Sequence, residues 1–163
     1  MAETTRRIVG PAVVALLGIL LAGCTASPTE QEQTMTPEES KHGLEELMAS
    51  TREIMALPED GWDPEFPLAA DPCTLSNGSA GIDYIDVRTW VGTPDPDPEQ
   101  LIDTVRVHWE SEGLVVTISD QTKGADTLIR VTGRGGTVKN MRIVIIPGQV
   151  TLDGESICVV GEL

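Results

Sequence analysis

The three cysteines are the residues of this chain with the most distinctive chemistry. A cysteine thiol can carry a lipid, form a disulfide or act as a nucleophile, and its surroundings decide between these roles. Cys24 follows a short apolar segment, whereas Cys73 and Cys158 lie far apart in the rest of the 163-residue chain. Cys24 is therefore a candidate for a different role from that of Cys73 and Cys158.

The segment before Cys24 has the organisation of a secretory signal. Arg6 and Arg7 precede the apolar residues 8–21, a stretch shorter than the ~20 residues that cross a bilayer as a helix. It ends in Leu21-Ala22-Gly23-Cys24, which resembles the lipobox of bacterial lipoprotein precursors. The small residues suit a narrow cleavage site, and the thiol is the group that forms a thioether to diacylglycerol.

The lipobox implies cleavage before Cys24 and transfer of a diacylglyceryl group, for example with palmitoyl chains, to its thiol. Two or more acyl chains anchor a protein stably, whereas one chain gives marginal binding. We therefore predict a signal peptide at 1–23, a lipidated Cys24 with a flexible tether at 24–36, and one domain at 37–163 on the extracytoplasmic face of the cell membrane. The alternative is a plain secretory signal, or a buried N-terminal helix, with a chance cysteine.

Export also bears on Cys73 and Cys158. An even pair of cysteines in an oxidising compartment favours a disulfide, here between a long loop and the last strand. The alternatives are two separate buried thiols or a catalytic cysteine. Neither His42 nor His108 has an acidic orienting partner in a motif, so a catalytic role is the weaker interpretation.

No other motif has the spacing that known catalytic or metal sites require. The chain lacks the paired histidines of zinc proteases and the serine elbow of hydrolases. Asp60, Asp63 and Glu65 could gather calcium, but they lack the ligand order of an EF-hand, and a solvated loop is the simpler interpretation. We expect a protein that is not an enzyme and has no cofactor or metal, with an envelope hydrolase as a minor alternative.

The charge of the chain excludes one class of partner. It carries 26 acidic and 11 basic residues, and loss of residues 1–23 leaves 25 and nine, a net charge of −16. Such a surface is repelled by phosphate backbones and anionic headgroups, so nucleic acid is not expected as a partner. The expected partners are the membrane, reached through the acyl chains, and another envelope protein or a cell-wall component.

Two amphipathic helices are predicted. Thr36, Pro37 and Glu39 have the order of a capping box, and apolar residues follow at helical spacing up to Met55. Asp97 is the expected N-cap of a second helix that ends at Gly113. The apolar stripes are Leu44, Leu47, Met48, Thr51, Ile54 and Met55 in the first helix and Leu101, Ile102, Val105 and Trp109 in the second.

Strands and turns fill the rest of the chain. Alternation predicts strands at 82–91, 114–119, 127–132, 139–146 and 149–160, the last one interrupted by a turn at Asp153-Gly154. On the first strand, the side with Ile85, Val87 and Val91 is the predicted core face. The fold class is α+β, with two helices packed on one face of a mostly antiparallel sheet of about five strands.

Residues 58–80 are rich in Pro, Gly and Asp and are predicted to form a long loop. Loops of this length are often functional or are pinned by a cross-link. Trp62 and Phe66 within it are candidate ligand-binding residues, because the loop could cover a pocket between helix and sheet.

The order and spacing of several segments resemble one known group of proteins. The first helix, the Trp62 loop, Cys73, residues 97–114 and the closing stretch at 152–160 are similar to the LppA-type lipoproteins of mycobacteria and other actinobacteria. The resemblance covers residues 37–160. It implies an acylated Cys24, a Cys73–Cys158 disulfide and an α+β domain outside the cytoplasmic membrane, and it carries no established catalytic residues.

Two functions follow as hypotheses. The first is a non-enzymatic envelope module that contacts a partner protein or the cell wall, because an anchored domain on a tether has no evident catalytic set. The second is a binding protein for a small ligand, such as a lipid or a cell-wall fragment, with Trp62 and Phe66 in its site.

Overall fold

The computed structural model describes residues 34–94, 97–123 and 126–163. The predicted signal peptide, Cys24 and most of the predicted tether lie outside the described residues. The helices are α1 (Pro37–Met55) and α2 (Pro98–Ser111), with a short 3-10 helix at Glu59–Gly61. The strands are β1 (Ala70–Thr74), β2 (Ala80–Val91), β3 (Leu114–Lys123), β4 (Asp126–Gly135), β5 (Val138–Ile146) and β6 (Gln149–Ser156). No helix in the described ranges is long and apolar enough to cross a membrane.

All six strands join one antiparallel sheet in the order β1-β2-β6-β5-β4-β3, and both helices pack on the same face of it. The predicted α+β class is confirmed, with one strand more than expected. The additional strand is β1, which lies inside the predicted loop. Its sequence Ala-Asp-Pro-Cys-Thr has no apolar alternation, and Pro72 is tolerated because β1 is an edge strand.

Both helices begin as their sequences predict. Thr36 accepts a hydrogen bond from the Glu39 amide, and the Glu39 carboxylate accepts one from the Thr36 amide, which completes the capping box. Asp97 caps α2 by accepting a hydrogen bond from the Glu99 amide at 2.8 Å. Gly113 follows α2 with a φ of +84°, a left-handed conformation that glycine adopts without strain.

The predicted turn at Asp153-Gly154 is wrong, because both residues continue β6 and pair with β5 and β2. Gly154 has a packing role instead. A Cβ at this position would lie 2.6 Å from Leu44 Cδ1 and 2.6 Å from Met141 Sδ. Glycine therefore lets α1 lie close against the centre of the sheet, where Leu44 and Met48 are buried.

The predicted core face of β2 is also wrong. Ile85, Val87 and Val91 are exposed, whereas Arg88 and Trp90 on the opposite side are buried. The helices cover the side of the sheet that faces Val150 and Leu152 of β6, and these residues pair with Trp90 and Arg88. Trp90 buries more apolar surface than a valine does, so the larger aromatic side chain decides which face is covered.

Cys73 of β1 and Cys158 just after β6 lie at disulfide-bonding distance, with their Cα atoms 6.0 Å apart. The structure thus brings together the two cysteines predicted to pair. Gly81 lies beside them, where a Cβ would be 2.6 Å from the carbonyl oxygen of Val159. The cross-link and this close backbone contact tie the edge of the sheet to the C-terminal segment.

Two buried hydroxyl groups fix α1 to its neighbours. The Ser40 hydroxyl donates to the Ile157 carbonyl oxygen at 2.6 Å and lies 2.9 Å from the Ser156 hydroxyl. The Thr51 hydroxyl donates to the Leu47 carbonyl oxygen and accepts from the Trp109 indole N–H at 2.9 Å. Because Thr51 and Trp109 are fully buried, this last bond sets the spacing between α1 and α2.

We expect Thr51→Val to destabilise the fold, because it leaves the buried Trp109 indole N–H without an acceptor. The cost of such an unpaired donor is about 1–3 kcal/mol in the free energy of unfolding. Thr51→Ser keeps the acceptor and serves as the matched control. Urea denaturation followed by tryptophan fluorescence measures both variants, and equal stability of Thr51→Val and wild type would contradict the role given to this bond.

Candidate functional site

The face of the sheet opposite the helices is uncovered and is termed the open face. The strand register places side chains on it in rows that run across the strands. One row is Val87, Asp153, Arg142, Thr132 and Thr117, from β2 to β3. With strands ~4.8 Å apart, such a row is about 19 Å long. The open face is thus a broad, shallow surface.

Apolar side chains are exposed at both ends of the open face. Ile85, Val87 and Val91 lie on β2, and Val115, which is 75% exposed, lies on β3. Around Val115, a shallow groove of about 640 Å³ is lined by Thr117, Ser119, Thr132, Arg134 and Gly135. A second groove of about 230 Å³ runs between Ile85 and Val87 of β2 and the charged residues of β5 and β6.

The charges of the domain are distributed unevenly, which the total of −16 conceals. Residues 114–152 contain five basic and two acidic residues, whereas the rest of 24–163 contains four basic and 23 acidic residues. On the open face, Arg142 pairs with Asp153 at 2.7 Å and Lys139 pairs with Glu155. Arg130 and Arg134 form no ion pair within the described ranges, so the β3–β4 end of the open face is basic.

Asp83 and Glu155 form a carboxyl pair at the other end of the open face. Glu155 also accepts hydrogen bonds from Lys139 and Asn140. Burial, together with the charge of Glu155, raises the pKa of Asp83 to about 6. Asp83 is only 4% exposed, so its protonation influences stability, whereas Glu155 is partly exposed and lines the groove beside Ile85 and Val87.

A different cavity lies between α1, β2 and the loop at residues 65–68. It has a volume of about 480 Å³ and is termed the α1 groove. Phe66, which is 73% exposed, lines it, as predicted for a ligand-binding residue. Trp62 does not line the groove, because it packs in the core and forms an isolated bridge with Trp90. The other lining residues are Glu45, Met48, Ala49, Arg52, Glu65, Pro67, Leu68, Asp86 and Arg88.

Two arginines hold the loop that forms the wall of the α1 groove. Arg52 binds Glu59 at 2.9 Å and Glu65, and its guanidinium lies 5.1 Å from the centre of the Trp62 ring. Hydrogen bonding and charge from Arg52 lower the pKa of Glu65. Arg88 donates to the Pro64 carbonyl oxygen at 2.8 Å. The loop is therefore held against both the helix and the sheet by these contacts.

The histidines do not form a catalytic set in the part of the chain that is described. His42 is exposed and pairs with Glu46 at 3.1 Å. His108 Nε2 lies 3.0 Å from the Ser50 hydroxyl, which resembles a nucleophile and its base. However, Ser50 lies within α1, where the backbone amides are used by the helix, so no amide pair is available to stabilise an oxyanion. The described contacts of His108 include no carboxylate that would orient it.

The acidic residues of the Trp62 loop do not converge on one point. Asp63 accepts a hydrogen bond from the Thr89 amide at 3.1 Å, and Glu65 pairs with Arg52. No group of His, Cys, Asp and Glu side chains within residues 34–94, 97–123 and 126–163 has the geometry of a metal site.

Comparisons with protein-family models, curated proteins and solved structures find no match to this chain.

Sequence reasoning missed Arg130 and Arg134 as candidate functional residues. The signal was present, because Arg130, Thr132 and Arg134 alternate with the inward Ile129 and Val131. It was hidden by the overall acidity of the chain and by uncertainty over which face the helices cover.

We expect Asp83 to contribute a loss of stability as pH rises from about 4 to about 6. In this window the folded protein holds a proton on Asp83, whereas the unfolded chain, with an ordinary pKa near 3.8, releases it. Asp83→Asn should remove this loss, which is at most roughly 3 kcal/mol, and so stabilise the protein at pH 7. Thermal unfolding across this pH range measures the effect. Asp60→Asn, on the exposed 3-10 turn, is the control, and identical pH profiles for Asp83→Asn and wild type would contradict the assignment.

Proposed function

We propose that this chain is a lipid-anchored envelope protein that binds another envelope component through its open face, without catalysing a reaction. The observation that carries this proposal is the uncovered sheet, which leaves Ile85, Val87, Val91 and Val115 in solvent. Antiparallel sheets can expose a polar face to water, but an exposed face with apolar residues at both ends is typical of a contact surface.

The proposed anchor is the acylated Cys24, and the proposed tether is the segment up to Thr36. Support comes from the lipobox and from the resemblance to the LppA-type lipoproteins, which concerns residues 37–160. The proposed location is the extracytoplasmic face of the cell membrane. There the domain would meet envelope proteins and cell-wall components, and an oxidising compartment suits the Cys73–Cys158 pair.

The proposed function predicts where a partner will cross-link. A photoreactive benzoylphenylalanine placed at Val87 or Val91 on the open face should cross-link to a partner in intact cells of the source organism. The same group at Val107 on α2 should not. Val87 and Val107 form a matched pair, because they are the same residue type and are 53% and 52% exposed.

Gel electrophoresis and mass spectrometry of the cross-linked species identify the partner. A partner captured equally from all three positions would show that contact is not selective for the open face. Cross-links from Val107 alone would move the contact surface to the helices. Either result would contradict the proposed surface.

A small-ligand binder is the second candidate function, and the α1 groove favours it. Met48, Phe66 and Leu68 give the groove an apolar wall. Its polar side consists of Arg52 and Arg88, each paired with a carboxylate, together with Glu45. This combination suits a ligand with an apolar part and neutral hydrogen-bonding groups, such as a lipid or a cell-wall fragment.

Native mass spectrometry of the protein extracted in mild detergent tests this second function. We expect a bound species of reproducible mass that is reduced at least several-fold in Phe66→Ala, because this change removes one wall of the groove. Val91→Ala removes an exposed apolar side chain elsewhere and should keep the adduct. Absence of any adduct from the wild-type protein, or its equal loss in both variants, would contradict a ligand site in the groove.

A further inference from the structure

The open face at β3 and β4 has a charge opposite to that of the rest of the domain. Between Val115 and Gln121 on β3 and between Leu128 and Arg134 on β4, the positions on this face include two arginines and no acidic residue. The other polar residues at these positions carry hydroxyl or amide groups, such as Thr117, Ser119 and Thr132. We call these residues the basic end of the open face.

The two arginines keep their hydrogen-bonding capacity. Arg134 is exposed, whereas Arg130 is partly buried: its Nε is buried without a hydrogen-bond partner among the described residues, so only its terminal guanidinium nitrogens can reach a ligand. Neither forms an ion pair there, in contrast to Arg142 and Lys139 on the same face. A guanidinium with free donors binds phosphate oxygens in a planar, two-point geometry, and it is more weakly hydrated than an ammonium group.

The tether can bring this surface to a membrane. Met35 packs near Ile82 and Val159, so the chain enters the domain on the helix side of the sheet near β2. Cys24 and Met35 are eleven positions apart in the sequence, a distance of at most roughly 40 Å in a fully extended chain and about 20 Å in a coil. When the open face lies flat on the membrane, the tether must reach from the helix side of the domain down to the membrane. This distance is about one helix diameter, ~10–12 Å, plus the thickness of the sheet.

We propose that the basic end of the open face docks on the anionic phospholipid headgroups of the membrane that holds the acyl chains. This inference rests on the proposed lipid anchor and specifies one binding surface of the open face. The neighbouring carboxylates of the open face, Asp153 and Glu155, are paired with Arg142 and Lys139, and exposed acidic residues more than ~8 Å away are largely screened at physiological salt. Each arginine near an anionic surface favours docking about five-fold, so the two together favour it by about 30-fold.

Docking also fits the geometry of the tether. The acyl chains keep the domain next to the bilayer, so binding of the face is an intramolecular event with a high effective concentration of headgroups. A contact too weak to recruit a free protein therefore suffices to orient an anchored one. In the docked state the acidic helix side faces outward.

A probe on the open face tests this orientation. The mature lipidated protein, with Ser119→Cys labelled by a fluorophore, is reconstituted in vesicles that contain a headgroup-linked quencher. One set of vesicles combines phosphatidylglycerol with phosphatidylcholine, and the other contains phosphatidylcholine alone. Ser111→Cys, an exposed serine at the end of α2, is the matched control position. Because Cys24 is acylated and Cys73 and Cys158 are paired, the new cysteine is the labelled thiol.

We expect strong quenching at Ser119 in the anionic vesicles and weak quenching in the neutral ones, with little at Ser111 in either. High salt should abolish the difference. Arg134→Gln, at an exposed position, should reduce the ratio of docked to undocked protein about five-fold, and the double variant with Arg130→Gln about 30-fold. Arg106→Gln, at a partly exposed position on α2, should leave quenching unchanged and is the charge-matched control.

The mass of the purified protein separates the two proposals. A chain without acyl mass would overturn the lipid anchor and, with it, the proposed function. An acylated chain with equal quenching in both kinds of vesicle, or with equal quenching at Ser111 and Ser119, would overturn only the docking of the basic end. Loss of quenching in Arg106→Gln as well would show that overall charge, and not this surface, is responsible.

Discussion

The close contact between α1 and the centre of the sheet at Gly154 is the constraint on which the rest of the structure depends. Because β6 has no side chain there, Leu44 and Met48 reach the sheet directly, and α1 lies across β2 and β6. This position brings Thr51 to Trp109, which places α2. It also turns Arg52 toward the Trp62 loop, so the α1 groove is a consequence of where the helix lies.

The same constraint divides the molecule into two sides with different properties. The side with the helices contains the core, the buried hydroxyl groups and most of the acidic residues. The open face contains the unpaired arginines and exposed valines, and its carboxylates are mostly bound to Lys139, Asn140 and Arg142. The chemistry of this domain therefore lies in extended surfaces and one shallow groove, and no deep cleft with a nucleophile and base is present in the described residues.

The elements that depend on local signals were predictable from sequence. The capping residues Thr36 and Asp97 and the glycine after α2 have local causes, so their roles were correct. The errors came from long-range packing. Gly154 has the appearance of a turn residue until a helix is known to lie on it, and the choice between the two faces of β2 depended on Trp90.

Sites formed by distant segments were the least accessible to sequence reasoning. Phe66 was identified as a ligand-binding candidate because it lies in a long loop, and it does line a groove. Trp62 was predicted as a ligand-binding residue for the same reason. However, Arg52 and Trp90, which come from other elements, pack against Trp62 and bury it. Arg130 and Arg134 can be identified as candidate binding residues only from the strand register, which places both on the uncovered face of the sheet.

The two edges of the sheet differ in their capacity to recruit further strands. β1 is five residues long, contains Pro72 without an amide hydrogen and is cross-linked through Cys73. β3, at the opposite edge, has ten residues and no proline. Strand pairing between copies of this chain is consequently expected at β3. When two β3 edges pair in antiparallel orientation, each uses the free backbone N–H and C=O groups of the other. Self-association by this route stops at a two-fold dimer, because the remaining edge strand, β1, is short and contains Pro72 and is therefore a poor template for a further strand.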